Sequence, residues 1–268
     1  MAITSLDGVI AGMRPPEDVQ KVGVSMQTAG VWHSKFYEDG RPGAAVAPTI
    51  GTTGVALTTY AGQIPWSNPS SGNSYLARLE ASPSGNGALM LADRLWHNSG
   101  ISISITTIQS VTSNAWPARD RDGSTNGENV LVAMEVSSTL GNNSAISNCT
   151  LSYTNSSGTA GRTATLPNIP ALAIPGTFLP FALQAGDTGV RSIQSYTCPT
   201  NMTNGVMSLV AYRRVAILPC PQANIGANLD AISSGFPRLY NNTVLFVCWL
   251  PTSSAPVDMY AQVIVSQG

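Results

Sequence analysis

From residue 101 to the C-terminus, apolar and polar residues alternate in short runs separated by turn-forming residues. The first run, ISISITTI (101–108), places isoleucine on one side and serine or threonine on the other. A period of two residues is typical of a half-buried β-strand. The other runs lie at 129–137, 149–155, 162–166, 177–183, 189–198, 206–218, 243–250 and 259–265. Nine short strands with turn-rich connections predict an all-β, jelly-roll-like antiparallel β-sandwich, and periodicity leaves an immunoglobulin-like topology open.

The stretch LSYTNSSGTAGRTATLP (151–167) poses a choice between a phosphate-binding loop and a β-hairpin. A phosphate loop needs a helix directly after its glycine-rich turn, and a Lys-Ser or Lys-Thr ending. Here the β-branched run TATLP follows the turn, and Pro167 closes it. The sequence therefore predicts that SSGTAG turns one strand back onto the next.

One segment before residue 101 has helical spacing. In GNGALMLADRLWHNSG (85–100), Ala88, Leu91, Ala92 and Leu95 recur at intervals of three and four residues. This spacing places them on one face of a helix, so we expect one short helix here.

Residues 1–75 are interrupted by Pro and Gly at intervals too short for long helices or strands. One strand is expected within them, at 54–62. A loop-rich segment of this length is uncommon inside a compact domain. We therefore expect an irregular N-terminal arm at 1–75 that contacts neighbouring subunits, and a sandwich domain at 76–268.

The chain carries little charge. Charged residues make up 10% of it, against roughly 25% in a typical soluble protein. The net charge is −1, and the sequence lacks the clusters of Lys and Arg that bind phosphate groups. We therefore expect no nucleic-acid partner. No window reaches the roughly 18 apolar residues of a membrane span, and no basic segment typical of a signal peptide opens the chain. We expect no membrane partner, and synthesis in a cytosol.

Candidate catalytic and metal-binding residues are few. His33 and His97 are the two histidines, and no GxSxG motif accompanies them, so we expect surface or capping roles, with His97 near a helix C-terminus. The cysteines lack the short, paired spacing of zinc sites, which favours buried thiols over a disulfide or a metal. They are Cys149, Cys198, Cys220 and Cys248. We expect no catalytic residue, cofactor or metal.

The densest acidic segment is ARDRDGSTNGEN (118–129), which contains Asp120, Asp122 and Glu128. Its composition is similar to that of a calcium loop, but its Gly and Glu do not fall at the EF-hand positions. The alternating arginines offer partners to the carboxylates, which favours a polar turn with ion pairs. Cation binding stays open, and a glycan-cleaving enzyme would need two of these carboxylates to face one cleft.

Trp66 and Trp116 lie beside prolines in loops. Tryptophan in such a position can stack on a sugar or fill a partner's pocket. The burial trend of tryptophan favours packing in a core or interface instead.

Four stretches of the sequence resemble structural proteins of tailed-bacteriophage virions. They are ALMLADRLWHNSGISISITTIQSVTSNAWPARDRDGSTNGENVLVAMEVS (88–137), LSYTNSSGTAGRTATLP (151–167), PGTFLPFALQAGDTGVRSIQSYT (175–197) and GFPRLYNNTVLFVCWLPTSSAPVDMYAQVIVSQG (235–268). The resemblance implies a virion component and no enzyme. Among virion components, capsid decoration (cement) proteins often form jelly-roll trimers seated on the shell.

From this resemblance we expect a non-enzymatic decoration protein at the capsid surface of the virion, which is synthesised in the bacterial host cytoplasm and stabilises the shell non-covalently. Its expected partners are copies of itself, as a homotrimer, and the major capsid protein. The alternative is a tail, fibre or baseplate protein with a glycan- or receptor-binding β-sandwich. That alternative requires Trp66 or Trp116 to be exposed in a concave, polar-lined site.

Overall fold

The computed structural model describes residue 3 and residues 5–268, and β-strands dominate this part of the chain. It contains one short α-helix, α1 (Leu6–Ala11), and a 3-10 turn at Lys35–Tyr37. The strands are β1 (Glu17–Lys21), β2 (Trp32–Ser34), β3 (Gly40–Arg41), β4 (Val55–Ala56), β5 (Ser74–Pro83), β6 (Gly87–His97), β7 (Gln109–Ser110), β8 (Val130–Ser138), β9 (Thr150–Asn155), β10 (Arg162–Thr165), β11 (Thr177–Pro180), β12 (Val190–Thr197), β13 (Val206–Cys220), β14 (Ala227–Asp230), β15 (Arg238–Leu239), β16 (Leu245–Pro251) and β17 (Met259–Gln267). Within the described residues, no helix is long and apolar enough to cross a membrane.

Six strands close into a barrel. Their hydrogen-bonded order is β13–β8–β11–β2–β16–β6, and β6 pairs with β13 to complete the ring. All of these pairs are antiparallel. A closed ring leaves none of its strands as an edge along the ring, so few backbone groups stay unpaired.

Two further sheets cover the outside of the barrel. One has the order β14–β5–β17–β1–β3, with β15 also on β5, and the other has the order β10–β9–β12–β7. Leu91 of the barrel packs in one buried cluster with Val263 of the first sheet. Val132 packs in a second cluster with Tyr153 of the other sheet. The layers confirm the predicted all-β antiparallel sandwich with one short helix.

Aromatic and sulfur-containing side chains fill the barrel interior. Phe36, Met90, Phe178, Phe246 and Cys248 form its core and are all buried. Phe246 contacts Phe36 and Phe178 edge-on, with ring centroids 5.7 and 6.0 Å apart. The barrel is therefore a packed core without room for a channel.

The predicted helix at 85–100 is wrong, because this segment forms β6. Leu89 and Leu91 face the cluster under the first flanking sheet, while Met90 and Ala92 face the barrel interior. A strand buried on both faces is apolar almost throughout, so its residues also satisfy a helical spacing. The short helix lies instead at Leu6–Ala11.

The strand predicted at 101–108 is also wrong, since these residues form a loop. The side-chain amide of Gln109 accepts from the Ser102 backbone N–H at 2.8 Å and donates to its carbonyl at 2.9 Å. One amide side chain thus satisfies both backbone groups of Ser102, which a neighbouring strand would otherwise pair. Ile101 is buried and Ile103 packs against the same core cluster, but Ile105 and Ile108 are exposed, so the alternation marks a buried face only at the start of this run.

The predicted hairpin at 151–167 is confirmed. β9 and β10 are antiparallel, with Leu151 opposite Ala164 and Tyr153 opposite Arg162. Every other strand predicted between residues 129 and 265 overlaps an observed strand.

Residues 1–75 contribute strands to both parts of the structure. β1 pairs with β17 and β3, and β2 lies between β11 and β16 in the barrel. The strand expected at 54–62 is limited to Val55–Ala56. The division into an arm at 1–75 and a domain at 76–268 stays a prediction, and the two segments share sheets in the structure.

Candidate functional site

An extended segment after β1 turns its apolar side chains outward. Val22, Val24 and Met26 are 45, 69 and 66% exposed, whereas Gly23 and Ser25 between them are partly covered. This is the reverse of the pattern in a strand that covers a core. We call these three side chains the apolar strip.

Backbone hydrogen bonds hold the apolar strip in place. The Val22 N–H donates to the Asp39 carbonyl at 3.0 Å, and the Gly23 N–H donates to the Asp258 carboxylate at 2.9 Å. The exposed side chains therefore sit on ordered backbone. Contiguous exposed apolar surface on a well-ordered segment is typical of a protein–protein contact.

A second candidate site is an open groove of about 440 Å³ beside Trp66. Its walls come from three distant parts of the chain: the residues around the start of β1, the loop before β5, and the end of β17. We call it the Trp66 groove, and its polar lining includes Arg14, Glu17, Asn68 and Gln267. A cleft of this size, with an aromatic ring and a few polar groups, suits a small polar ligand.

Hydrogen bonds fix the walls of the groove. The Arg14 guanidinium donates to the Gln267 side-chain oxygen at 2.8 Å, and the Gln267 amide donates to the Ser67 carbonyl at 2.6 Å. The Trp66 indole N–H donates to the Thr243 carbonyl at 2.9 Å. The ring is half-buried and its polar edge is occupied, so what it offers a ligand is apolar ring surface.

Trp116 does not contribute to a binding surface. Its ring is buried, lies 5.4 Å from that of Trp96, and donates its N–H to the Val190 carbonyl at 2.6 Å. Of the two tryptophans singled out in the sequence, Trp66 alone lines a concave, polar site.

The expected surface or capping roles of the histidines are wrong, because both side chains are buried. Burial lowers the pKa of His33 to about 4 and, together with the nearby Arg94 charge, lowers that of His97 to about 3. His97 ends a strand, and its Nδ1 accepts from the Arg94 Nε at 3.2 Å. Both imidazoles are therefore neutral at pH 7.

In the acidic segment, Asp120 is buried and organises the loop. Its carboxylate accepts the Ser124 hydroxyl at 2.7 Å and the backbone N–H groups of Asp122, Ser124, Gly127 and Glu128 at 2.7–3.2 Å. Burial alone would raise the pKa of Asp120, but these hydrogen bonds outweigh it and lower the pKa.

The other two carboxylates of this loop pair with one arginine. Asp122 lies 3.0 Å and Glu128 3.4 Å from Arg121. The loop's own donors thus hold all three acidic side chains. Among the described residues, no three His, Cys, Asp or Glu side chains gather into a metal-binding group.

Two buried ion pairs were not anticipated from the sequence. Arg94 points into the barrel and contacts Glu135 at 2.6 Å, and Tyr37 donates to the same carboxylate at 3.0 Å. Burial opposes the charge on Arg94, but Glu135 outweighs it and raises its pKa. On the other face of β6, Arg119 forms a two-pronged contact with Asp93 at 2.9 and 3.0 Å. Charges spaced this far apart in sequence carry no local signal of their pairing.

Comparison with known proteins yields no relative. No protein-family model matches the chain, and no curated protein is significantly similar. A structure of infectious bursal disease virus, Gt strain, aligns with a TM-score of 0.19 at 8% identity, over 95% of this chain and 82% of that one. A structure of the Gx strain aligns with a TM-score of 0.12 at 10% identity, over 95% and 42%. Similarities this weak carry no argument about fold or function.

Proposed function

We propose that the protein is a non-enzymatic structural protein of a phage virion, which decorates the capsid and stabilises it through non-covalent contacts as a homotrimer. The apolar strip is the observation that carries this proposal. A decoration protein needs an ordered surface that other subunits cover, and Val22, Val24 and Met26 form one. Nine of the sixteen large apolar side chains exposed in the described part of the chain lie before residue 56.

The composition supports contacts of this kind. With a net charge of −1, the protein exerts little long-range electrostatic attraction or repulsion on a partner. Apolar contact contributes roughly 25 cal/mol for each Å² removed from water, so many small contacts along a shell add up. We therefore expect attachment to the shell to depend weakly on salt concentration.

The proposal is tested by light scattering on the purified protein, followed by binding to expanded, undecorated phage capsids. We expect a trimer that adds to the shell with saturating stoichiometry. The variant V22S/V24S/M26S should keep the wild-type Tm, because these side chains are exposed, and should lose most capsid binding.

A matched control replaces exposed apolar residues elsewhere. Ile225 and Ile232 are 54 and 82% exposed, and I225S/I232S should bind capsids like the wild type. Equal binding by all three proteins, or no binding by the wild type, would overturn the role of the strip in shell decoration.

The Trp66 groove favours a second candidate function, that of a tail, fibre or baseplate protein which binds a host glycan or receptor. Sugar rings stack their C–H faces on exposed indole surface, while planar polar side chains hydrogen-bond their hydroxyls. Trp66 offers the ring face, and Arg14 and Glu17 offer the planar polar groups. The Asn68 amide is already hydrogen-bonded to Asn242.

A glycan array tests this candidate. We expect a defined set of saccharides to bind, and W66L and E17Q each to weaken that binding at least about tenfold, which corresponds to roughly 1.4 kcal/mol. Y260L is the control, because Tyr260 is also an exposed aromatic residue and lies outside the groove. Absence of saccharide binding by the wild type rejects this candidate.

A further inference from the structure

Cys149 and Cys198 lie directly opposite each other at the ends of two paired strands. β9 and β12 place Thr150 opposite Thr197, and one more step in this antiparallel register pairs the two cysteines. Their sulfur atoms are 3.0 Å apart, and both are free thiols. Opposed residues of antiparallel strands have Cα atoms roughly 4.5–5.5 Å apart, which is within the span of a disulfide bond.

A hydrogen bond between the two thiols favours reaction at Cys198. The Cys149 thiol donates a hydrogen bond to the Cys198 sulfur, which lowers the pKa of Cys198 and raises that of Cys149. A thiolate is the reactive form of cysteine. The Cys198 thiol also donates to the Thr200 carbonyl at 3.4 Å, as the Cys220 thiol does to the Leu218 carbonyl at 3.6 Å. What distinguishes Cys198 is the opposed sulfur of Cys149. Cys248 lies in the barrel core.

We propose that Cys149 and Cys198 are an oxidative modification site, at which a small peroxide converts the two thiols into an intramolecular disulfide bond. Both side chains are at most 2% exposed, so the site selects an oxidant as small as hydrogen peroxide. This chemistry does not depend on the protein's role in a virion.

The reaction has two balanced steps. The Cys198 thiolate attacks one peroxide oxygen, the O–O bond breaks, and the departing hydroxide takes up a proton to become water. Cys198 is then a sulfenic acid. The Cys149 sulfur attacks the Cys198 sulfur, the S–O bond breaks, and the second oxygen leaves as water with the Cys149 proton. Two thiols are oxidised, and one peroxide is reduced to two waters.

The new bond would join residues 49 positions apart in the chain. The closed loop contains the β9–β10 hairpin, β11 and β12. A cross-link over a loop of this length restricts the unfolded chain more than the folded one. We therefore expect oxidation to raise Tm by about 5 °C or more.

The test treats the folded protein with hydrogen peroxide, alkylates free thiols with N-ethylmaleimide during unfolding, and maps non-reduced peptides by mass spectrometry. We expect a peptide pair linked through Cys149 and Cys198, with a mass two hydrogens below the sum of the two reduced peptides, and alkylated Cys220 and Cys248. The linked pair and the rise in Tm should disappear in C198S and persist in C220S.

Three results would overturn the proposal: alkylation of all four cysteines, a cross-link through Cys220 or Cys248, or sulfinic acid at Cys198 without a linked peptide. The peptide map of the wild type decides the question by itself if C198S fails to fold. Reduction with dithiothreitol should separate the linked peptides and reverse the rise in Tm, which distinguishes the disulfide from irreversible oxidation of cysteine.

Discussion

Two neighbouring residues of β6, Asp93 and Arg94, carry buried charges to opposite faces of the strand. Arg94 reaches Glu135 inside the barrel and lies over the Phe36 ring, with 4.8 Å to its centroid. Asp93 holds Arg119 and also accepts the Val244 N–H at 3.0 Å. Each charge is removed from water, so its partner is what makes its burial tolerable.

We expect removal of one partner inside the barrel to be costly. E135Q leaves the Arg94 charge buried without a counter-charge and should lower the free energy of unfolding by about 3–5 kcal/mol, measured by urea denaturation. The double variant R94M/E135L should lower the free energy of unfolding by clearly less than the sum of the effects of R94M and E135L. D122N serves as an exposed control and should cost less than about 1 kcal/mol. Additive single and double effects would contradict this account of the pair.

The hydrogen bonds to Asp187 predict how the stability of the protein changes in acid. The Arg162 Nε donates to its carboxylate at 2.9 Å, and Tyr153 and Asn155 donate to it as well, which lowers its pKa from 3.8 to about 2. Because the folded-state pKa is the lower one, this carboxylate stabilises the fold above its unfolded pKa and loses that effect as pH falls from about 4 to about 2.

We therefore expect D187N to lower Tm at pH 7, and the difference from the wild type to shrink across that acid range. Thermal unfolding followed by circular dichroism at several pH values measures it. A Tm difference that stays constant from pH 7 to acid would show that the charge of Asp187 has no part in its effect.

At the scale of elements, alternation in sequence predicts strands where one face is buried. β9 is such a strand, with Leu151 and Tyr153 buried and Ser152 half-exposed between them. β6 could not be predicted this way, because both of its faces are buried and the period-two signal disappears. The loop at 101–108 shows the opposite case. Its sequence alternates, but the Gln109 side chain, and not a neighbouring strand, hydrogen-bonds to its backbone at Ser102.

The turn of the β9–β10 hairpin offers a test of backbone conformation. Gly161 has φ of +71°, and a Cβ added there would meet no atom within 4 Å. G161A should therefore cost about 1–2 kcal/mol through backbone strain alone. Gly226 has equally open surroundings without a positive φ, so G226A should be neutral or stabilise by up to about 1 kcal/mol. Urea denaturation of both variants measures the difference, and equal effects would refute the role of the turn conformation.

The Trp66 groove could be predicted only in part from the sequence. Trp66 attracts notice because a tryptophan in a proline-rich loop is unusual, whereas Arg14 and Gln267 have no local pattern that marks them. Arg14 and Gln267 meet because Met13 forms a β-bridge with Ser266, and because the Arg14 backbone N–H donates to the Val265 carbonyl. Pairing between residues so distant in sequence has no periodic signature.

At the scale of the whole molecule, the described residues before position 76 contribute to both main parts of the fold. β2 separates β11 from β16 in the barrel, and Phe36, just after it, is buried in the barrel core. β1 pairs with β17 along five residues and buries Val19. Pro and Gly interrupt this segment often enough to hide such short strands from a periodicity argument.

Deletion of residues 1–75 should therefore prevent stable folding. Without β2 the barrel ring opens between β11 and β16, and without Phe36 its core holds a cavity, which is costly in a packed interior. We expect the fragment 76–268 to lack a cooperative thermal transition and a near-ultraviolet circular dichroism signal.

A shorter deletion separates this effect from mere loss of the N-terminus. α1 buries one side chain, Val9, so the fragment 12–268 should keep a cooperative transition with Tm lowered by only a few degrees. If the fragment 76–268 instead melts cooperatively near the wild-type Tm, the strands of residues 1–75 add little to the fold. Those residues would then behave as the arm expected from the sequence, which forms its main contacts with neighbouring subunits.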